Sequence, residues 1–219
     1  MNLTLSYVNK ALSLADFDVE AAHQRLFPSF RVNERPPDRP GSPRSGAVLL
    51  LLYRQQEEWH ILLTRRTDKL QSHAGQISFP GGRREGQESL LDTALRETHE
   101  EVGIDPAGVQ PLGSLQTIYI PPTDFIVHPF VGWHERPLQL RPDPYEVAEI
   151  LEVPLSLLLN PSTYQREIWE LRGMLVDVPF FRIGAHKVWG ATAIILSEFL
   201  ERLRATAGAE CHSHNPATR

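Results

Sequence analysis

Residues 81–104 read GGRREGQESLLDTALRETHEEVGI, a glycine pair followed by an acid-rich stretch. Ser89 to Val102 holds neither Gly nor Pro, and Leu90, Leu91, Ala94 and Leu95 recur at helical spacing, so this stretch is a helix. Five carboxylates fall between Glu88 and Glu101: Glu88, Asp92, Glu97, Glu100 and Glu101. At about 100° per residue, Glu97, Glu100 and Glu101 share an arc of about 100° beside an apolar stripe of Leu91, Ala94, Leu95, Thr98 and Val102. Three acids on one face repel one another unless a cation sits among them. Hard divalent cations take such oxygen ligands, and Mg²⁺ in particular combines a few carboxylates with substrate phosphates. The plain alternative is a solvated acidic helix face. Pro80-Gly81-Gly82, just upstream, favours the metal, because glycines there let a backbone carbonyl approach a ligand closely. Arg96, on the flank away from the apolar stripe, is placed to pair with Glu88 and tie the loop down.

On the N-terminal side of that stretch, Gly46–Arg54 and Trp59–Arg65 form a strand–turn–strand pattern, and Ile77–Phe79 is a short extended piece. Val109–Ile120 and Phe125–Trp133 read as strands on either side of Pro121–Asp124. Pro144–Leu159 mixes helical and extended signals. Ser162–Glu170 and Met174–Ile183 read as paired strands, and Trp189–Ala205 as a second amphipathic helix. Before the core, Met1–Phe30 reads as helical. Arg31–Arg44 (RVNERPPDRPGSPR) has four prolines, which forbid regular structure. Its four arginines could meet an anion or form a solvated linker. The expected division is therefore 1–45 as N-terminal helix and Pro/Arg-rich linker, 46–205 as the core domain, and 206–219 as a disordered tail. Strands without strict βαβ alternation give an α+β class, a mixed sheet faced by helices.

The chain's 219 residues suit one domain with an appendage, and 41% hydrophobic content excludes global disorder. The longest apolar run, Ala47–Tyr53, is far short of the ~20 residues that span a bilayer, so no membrane partner is expected. Met1–Phe17 lacks the features of a secretory signal. The single Cys211 forms no internal disulfide, and a reducing cytoplasm is the expected compartment. A net charge of −5 opposes bulk nucleic-acid binding, so phosphate handling needs local arginines or metal ions. Cys211, His212 and His214 form no functional site, because ordering a polar tail costs ~1–2 kcal/mol per residue.

Gly82, Glu88, Arg96, Glu97, Glu100, Glu101, Gly103 and Ile104 together reproduce the Nudix box, with Thr98 where a larger aliphatic is usual. The resemblance implies the Nudix fold, an α/β/α sandwich around a mixed sheet, over roughly Gly46 to Ala205. It implies hydrolysis of a nucleoside diphosphate linked to another group, with Mg²⁺ or Mn²⁺ as cofactor. Glu97, Glu100 and Glu101 would be catalytic metal ligands, joined by a carbonyl of Gly81 or Gly82. Gly82, Glu88, Arg96 and Gly103 would be structural parts of the motif.

Leu62-Leu63-Thr64-Arg65-Arg66-Thr67 and Gly75 to Phe79-Pro80-Gly81-Gly82 resemble the second signature of the coenzyme A pyrophosphatase branch. Thr67 replaces Ser or Ala, and Gln71 stands where Arg is usual, with Lys69 or Arg65 placed to compensate. By this resemblance the substrate is coenzyme A or acyl-coenzyme A, bound by Arg66, His73, Gln76 and Phe79. Arg66 is the phosphate contact, since guanidinium grips phosphate oxygens bidentately, although a structural ion pair is the alternative. Tyr145–Ile150 resembles the branch segment that brings one more glutamate to the metals: Glu146 first, Glu149 second. Trp189 reads as packing. Another substrate, such as ADP-ribose or a dinucleotide, is favoured by Gln71. A non-catalytic binding module needs lost ligands, and none is lost. A homodimer is compatible with the sequence, which does not decide oligomeric state.

Overall fold

A computed structural model describes residues 3–29, 35–36, 38–68, 75–171 and 173–213. The chain runs α1 (Leu5–Leu12), α2 (Val19–Gln24), β1 (Arg44–Gln55), β2 (Glu58–Arg66), β3 (Ile77–Ser78), β4 (Gly81–Arg83), α3 (Leu90–Val102), β5 (Val109–Ser114) and β6 (Ile118–Ile120). It continues through β7 (Phe125–His134), β8 (Val147–Pro154), α4 (Leu155–Leu159), β9 (Tyr164–Leu171), β10 (Met174–Ile183), β11 (His186–Val188) and α5 (Gly190–Ser213).

The main sheet has the order β3-β2-β1-β7-β5, with β4 on β1, β6 on β7 and β8 on β2. It is mixed because β1 and β7 run parallel from Arg44↔Phe125 to Tyr53↔His134, while the other pairs are antiparallel. A parallel pair requires a crossover, and the segment holding α3 supplies it. β1 is buried on both faces, which explains its unbroken apolar run. Ala47, Leu49, Leu51 and Tyr53 meet Ala94 and Val102 of α3 on one side. Leu50 and Leu52 face α1 and α5 on the other. The sandwich expected from the sequence is present, with β9, β10 and β11 forming a separate three-stranded sheet.

Three expectations are corrected. The helical segment of 1–30 is two short helices, each with its own cap: Thr4 Oγ1 accepts from the Tyr7 amide and Asp18 Oδ1 from the Ala21 amide. Val109–Ile120 is two strands, 109–114 and 118–120, and between them the Gln116 amide turns to Glu198 of α5. Residues 206–213, expected to be disordered, continue α5 as helix. Thr206 is fully buried and Ala207 packs against the core, so burial carries the helix past Ala205. Residues 214–219 and 31–34 lie outside the described residues. Within the linker, Arg35 and Arg39 are tied to Asp124, so these two arginines brace the turn before β7 rather than await an anion.

The N-terminal helices share the main core. Val8 and Ala11 are fully buried, and the Tyr7 hydroxyl donates to the Leu203 carbonyl. Glu198 of α5, with 0% of its surface exposed, accepts from His23 of α2 (2.9 Å), Arg202 (3.0 Å) and the Gln116 amide (3.1 Å). Burial alone would raise its pKa, but the bonds from His23 and Arg202 outweigh that and hold it below the usual carboxylate value. Glu198→Ala therefore strips the acceptor from the Arg202 guanidinium and the His23 ring. Urea denaturation should show a loss of about 3–5 kcal/mol, and a loss under 1 kcal/mol would mean the network does not hold the N-terminal helices.

Candidate active site

The helix α3 is fixed at both ends. Ser89 Oγ accepts from the Asp92 amide, and Gly103 closes the helix in the left-handed conformation at φ 77°. The loop before β8 then caps its last carbonyls: the Arg141 amide donates to Val102 O (2.8 Å) and the Asp143 amide to Glu101 O (2.9 Å). Those bonds carry the chain directly to Glu146.

Alternation along β2 decides which arginine meets the acids. Leu62 and Arg66 face α3, whereas Ile61, Leu63 and Arg65 face the opposite layer. Arg66 Nη1 contacts Glu101 at 3.2 Å and its Nη2 contacts Glu146 at 3.5 Å. Arg65 instead pairs with Glu149, which also meets His186 at 3.2 Å. Of the two candidate glutamates, Glu146 is therefore the one at the α3 acids, and Glu149 belongs to the other face.

Glu101 is 2% exposed. Burial pushes its pKa up to about 8; Arg66 opposes the rise, and the charges of Glu146 and Glu97 add to it. Burial likewise raises Glu97, against Arg96, with Glu100 and Glu146 adding their repulsion. Arg66 bridges Glu101 and Glu146, and the charge of Glu146 reaches both Glu97 and Glu101. Glu100 is half exposed, and Arg96 Nη1 meets both it, at 2.9 Å, and Glu97, at 3.1 Å. Among the described residues, no three His, Cys, Asp or Glu side chains stand at metal-shell spacing, because Arg66 and Arg96 sit between the acids.

The glycine turn closes the site. A Cβ on Gly82 would lie 2.4 Å from the Glu97 carboxylate, so the absent side chain is the room that Glu97 occupies. Gly81, at φ 150°, donates its amide to Glu101 Oε2 at 3.3 Å, and a Cβ there would lie 2.3 Å from Ala47 O. Arg96 pairs with Glu88 at 2.9 Å as expected, and chiefly for that reason the Glu88 pKa falls to about 2. The hard oxygen donors of Glu97, Glu101 and Glu146 suit a divalent ion.

Two expected substrate contacts are not at the surface of the site, or not in view. Phe79 is 1% exposed and belongs to the core under β2, so it packs rather than lines a groove. His73, like Lys69 and Gln71, lies outside the described residues. Gln76 uses its carbonyl to accept the Arg66 amide at 3.0 Å, which braces β2. Trp189 stacks edge-on against Trp169, as packing. The sequence did not single out Thr67 as a support, yet its amide and hydroxyl donate to the carbonyls of Glu146 and Tyr145. Its replacement of Ser or Ala in the signature was the available clue.

A family model described as the NUDIX domain matches residues 43–171. The uncharacterized Nudix hydrolase NudL of Photorhabdus laumondii is 38% identical over 170 residues, covering 77% of this chain and 90% of that protein. NudL of Citrobacter koseri is 36% identical over 195 residues, covering 87% and 94%. Among solved structures, a MutT protein from Methanosarcina mazei superposes with a TM-score of 0.50 at 21% identity, covering 77% of this chain and 99% of that one, which supports the fold.

The two glycines should separate by experiment. Gly81→Ala meets backbone on the strand side, and denaturation should show a loss of more than about 2 kcal/mol. Gly82→Ala meets only the end of a side chain, so it should keep the wild-type unfolding midpoint. It should nevertheless weaken Mn²⁺ binding about tenfold, read by electron paramagnetic resonance, because Glu97 is displaced. Unchanged Mn²⁺ affinity in Gly82→Ala would remove Glu97 from the site.

Proposed function

This chain belongs to the Nudix hydrolase family, and within it we propose hydrolysis of the pyrophosphate bond of coenzyme A or acyl-coenzyme A to 3′,5′-ADP and 4′-phosphopantetheine or its acyl form. Nudix hydrolases act on nucleoside diphosphate derivatives and typically use Mg²⁺ or Mn²⁺. One observation carries the finer reading. The signature Leu62–Thr67 on β2, which resembles the coenzyme A branch, delivers Arg66 to the carboxylates of α3 and Glu146.

Glu97, Glu101 and Glu146 would hold the metal, with Glu100 and a Gly81 carbonyl at its edge. Bound there, a dication withdraws charge from phosphate oxygens and lowers the pKa of water towards neutrality. Arg66 is the phosphate contact: its grip on Glu101 and Glu146 is long, so its guanidinium is available to an oxyanion. The same residue is the site's answer to an acidic protein binding an anion. Glu88 and Arg96 fix the loop 83–88 against α3 and so hold Glu97 at Gly82. A glutamate of this cluster takes the proton from the attacking water. Among the described residues no helix is long and apolar enough to cross a membrane. The lone Cys211 favours a reducing cytoplasm as its compartment.

Incubation with coenzyme A and Mg²⁺ or Mn²⁺ should release 3′,5′-ADP, and chelator should abolish it. Turnover of ADP-ribose without 3′,5′-ADP from coenzyme A would overturn the substrate assignment in favour of another nucleoside diphosphate. Arg66→Ala should raise KM for coenzyme A more than for its 3′-dephospho form; equal increases would mean that Arg66 does not read the 3′-phosphate. Glu101→Gln should leave folding intact and cut turnover at least ~100-fold, since it removes a charged ligand of the metal. Near-normal turnover would take α3 out of the mechanism.

A further inference from the structure

Five large apolar or aromatic side chains among the described residues are exposed. Ile168, Met174 and Leu175 lie on the β9–β10 hairpin and Leu157 on α4. The fifth, Tyr145, is 80% exposed and immediately precedes Glu146, whose carboxylate meets Arg66 at 3.5 Å. Single exposed apolar residues need no explanation by themselves. Tyr145 differs in how firmly its backbone is held beside the acids.

Its amide donates to Asp143 Oδ1 at 2.8 Å, and its carbonyl accepts from the Thr67 hydroxyl at 2.8 Å. The next residue is clamped as well: the Thr67 amide donates to Glu146 O at 2.9 Å, and the Glu146 and Val147 amides donate to Asp143 O. Asp143 itself donates its amide to Glu101 O at 2.9 Å. A chain of backbone bonds thus runs from the helix that bears Glu101 to the tyrosine. Among the described residues the ring meets no other ring and no cation. A ring on a fixed backbone, with only two side-chain torsions, loses little entropy when something stacks on it.

We propose that Tyr145 is the stacking platform for the nucleobase of the substrate, holding the nucleoside half while Arg66 and the acids engage its phosphates. The proposal deepens the nucleoside diphosphate reading and rests on it, but not on coenzyme A as the particular substrate. Stacking is tolerant of base identity, because every base offers a π-face. Tyr145 therefore favours substrates bearing a planar base over equally charged ones without it.

Calorimetric titration of the full-length protein with Mg²⁺ tests it, using α,β-methylene-ADP, which resists cleavage, and methylenediphosphonate, which carries the charge without the base. Tyr145→Ala should weaken the nucleotide analogue about 5- to 150-fold while methylenediphosphonate binds within twofold of wild type. Tyr145→Phe should keep wild-type affinity for both. Three outcomes overturn the proposal: an unchanged nucleotide affinity in Tyr145→Ala, an equal loss for both ligands, or a Tyr145→Phe as weak as the alanine variant. An equal loss would mean that the residue acts through the placement of Glu146. A failure to cleave coenzyme A would appear in product analysis and leave this titration readable.

Discussion

A carboxylate that water cannot reach must find a cation or keep its proton, and Glu101 is in that position. It is 2% exposed, and its pKa rises to about 8 even with Arg66 in contact. Placing it there takes several coordinated features. The register of β2 against β8 shifts between Arg65 and Arg66, the point at which the chain commits one arginine to each face. The turn at Gly81–Gly82 brings an amide to Glu101 and makes room for Glu97. The loop 141–146 hangs from the last carbonyls of α3 and returns Glu146 to the same space. Removing any one of these leaves a buried charge with less compensation, which is the expensive condition in a protein interior.

The helix at the centre of this arrangement was legible because its signals are local. Periodicity, a Ser cap with Asp three residues on, and a closing glycine lie within Ser89 to Gly103 and all agree. Arg66 stood out by its place in the signature, and in the fold strand alternation sends its neighbour Arg65 to the opposite face. What the sequence concealed depends on partners distant along the chain. The parallel pairing of β1 with β7 joins residues some eighty positions apart, and the three-residue β4 and β11 carry too little pattern to register. Phe79 looked like a substrate contact because it sits in a signature next to the glycines, yet it alternates inward and fills the core. Glu97 and Glu100 share a helix face by angle, and Arg96 Nη1 bridges the two, a pairing that angle alone does not reveal.

The N-terminal segment illustrates the same limit from another direction. By composition, 1–45 looks like an appendage, and its arginines invite an anion. In the fold, Arg35 and Arg39 converge on Asp124, and α1 and α2 lie on α5 within the main core. The tail behaves similarly: Thr206 and Ala207 look like part of a small-residue tail in sequence, but they continue α5, Thr206 fully buried and Ala207 packed against the core. The helix is buried on all sides over 193–200, not amphipathic as the sequence suggested. Burial, not local composition, decided both ends, and burial is a property of what packs against a segment.

The two buried glutamates among the described residues show why one site is structural and the other chemical. Glu198 is saturated: His23, Arg202 and a backbone amide all lie within 3.1 Å, and the net effect lowers its pKa. Glu101 has the longer contacts, 3.2 Å to Arg66 and 3.3 Å to Gly81, and two further carboxylates add repulsion. Equal burial therefore yields opposite shifts. A saturated carboxylate gains nothing from a new cation and serves to fix the helices around it. An under-compensated one, grouped with others of its sign and reached by an arginine held only loosely, gains a great deal from a dication. The stored electrostatic tension at Glu101 is the form in which this fold keeps affinity for metal and phosphate in reserve.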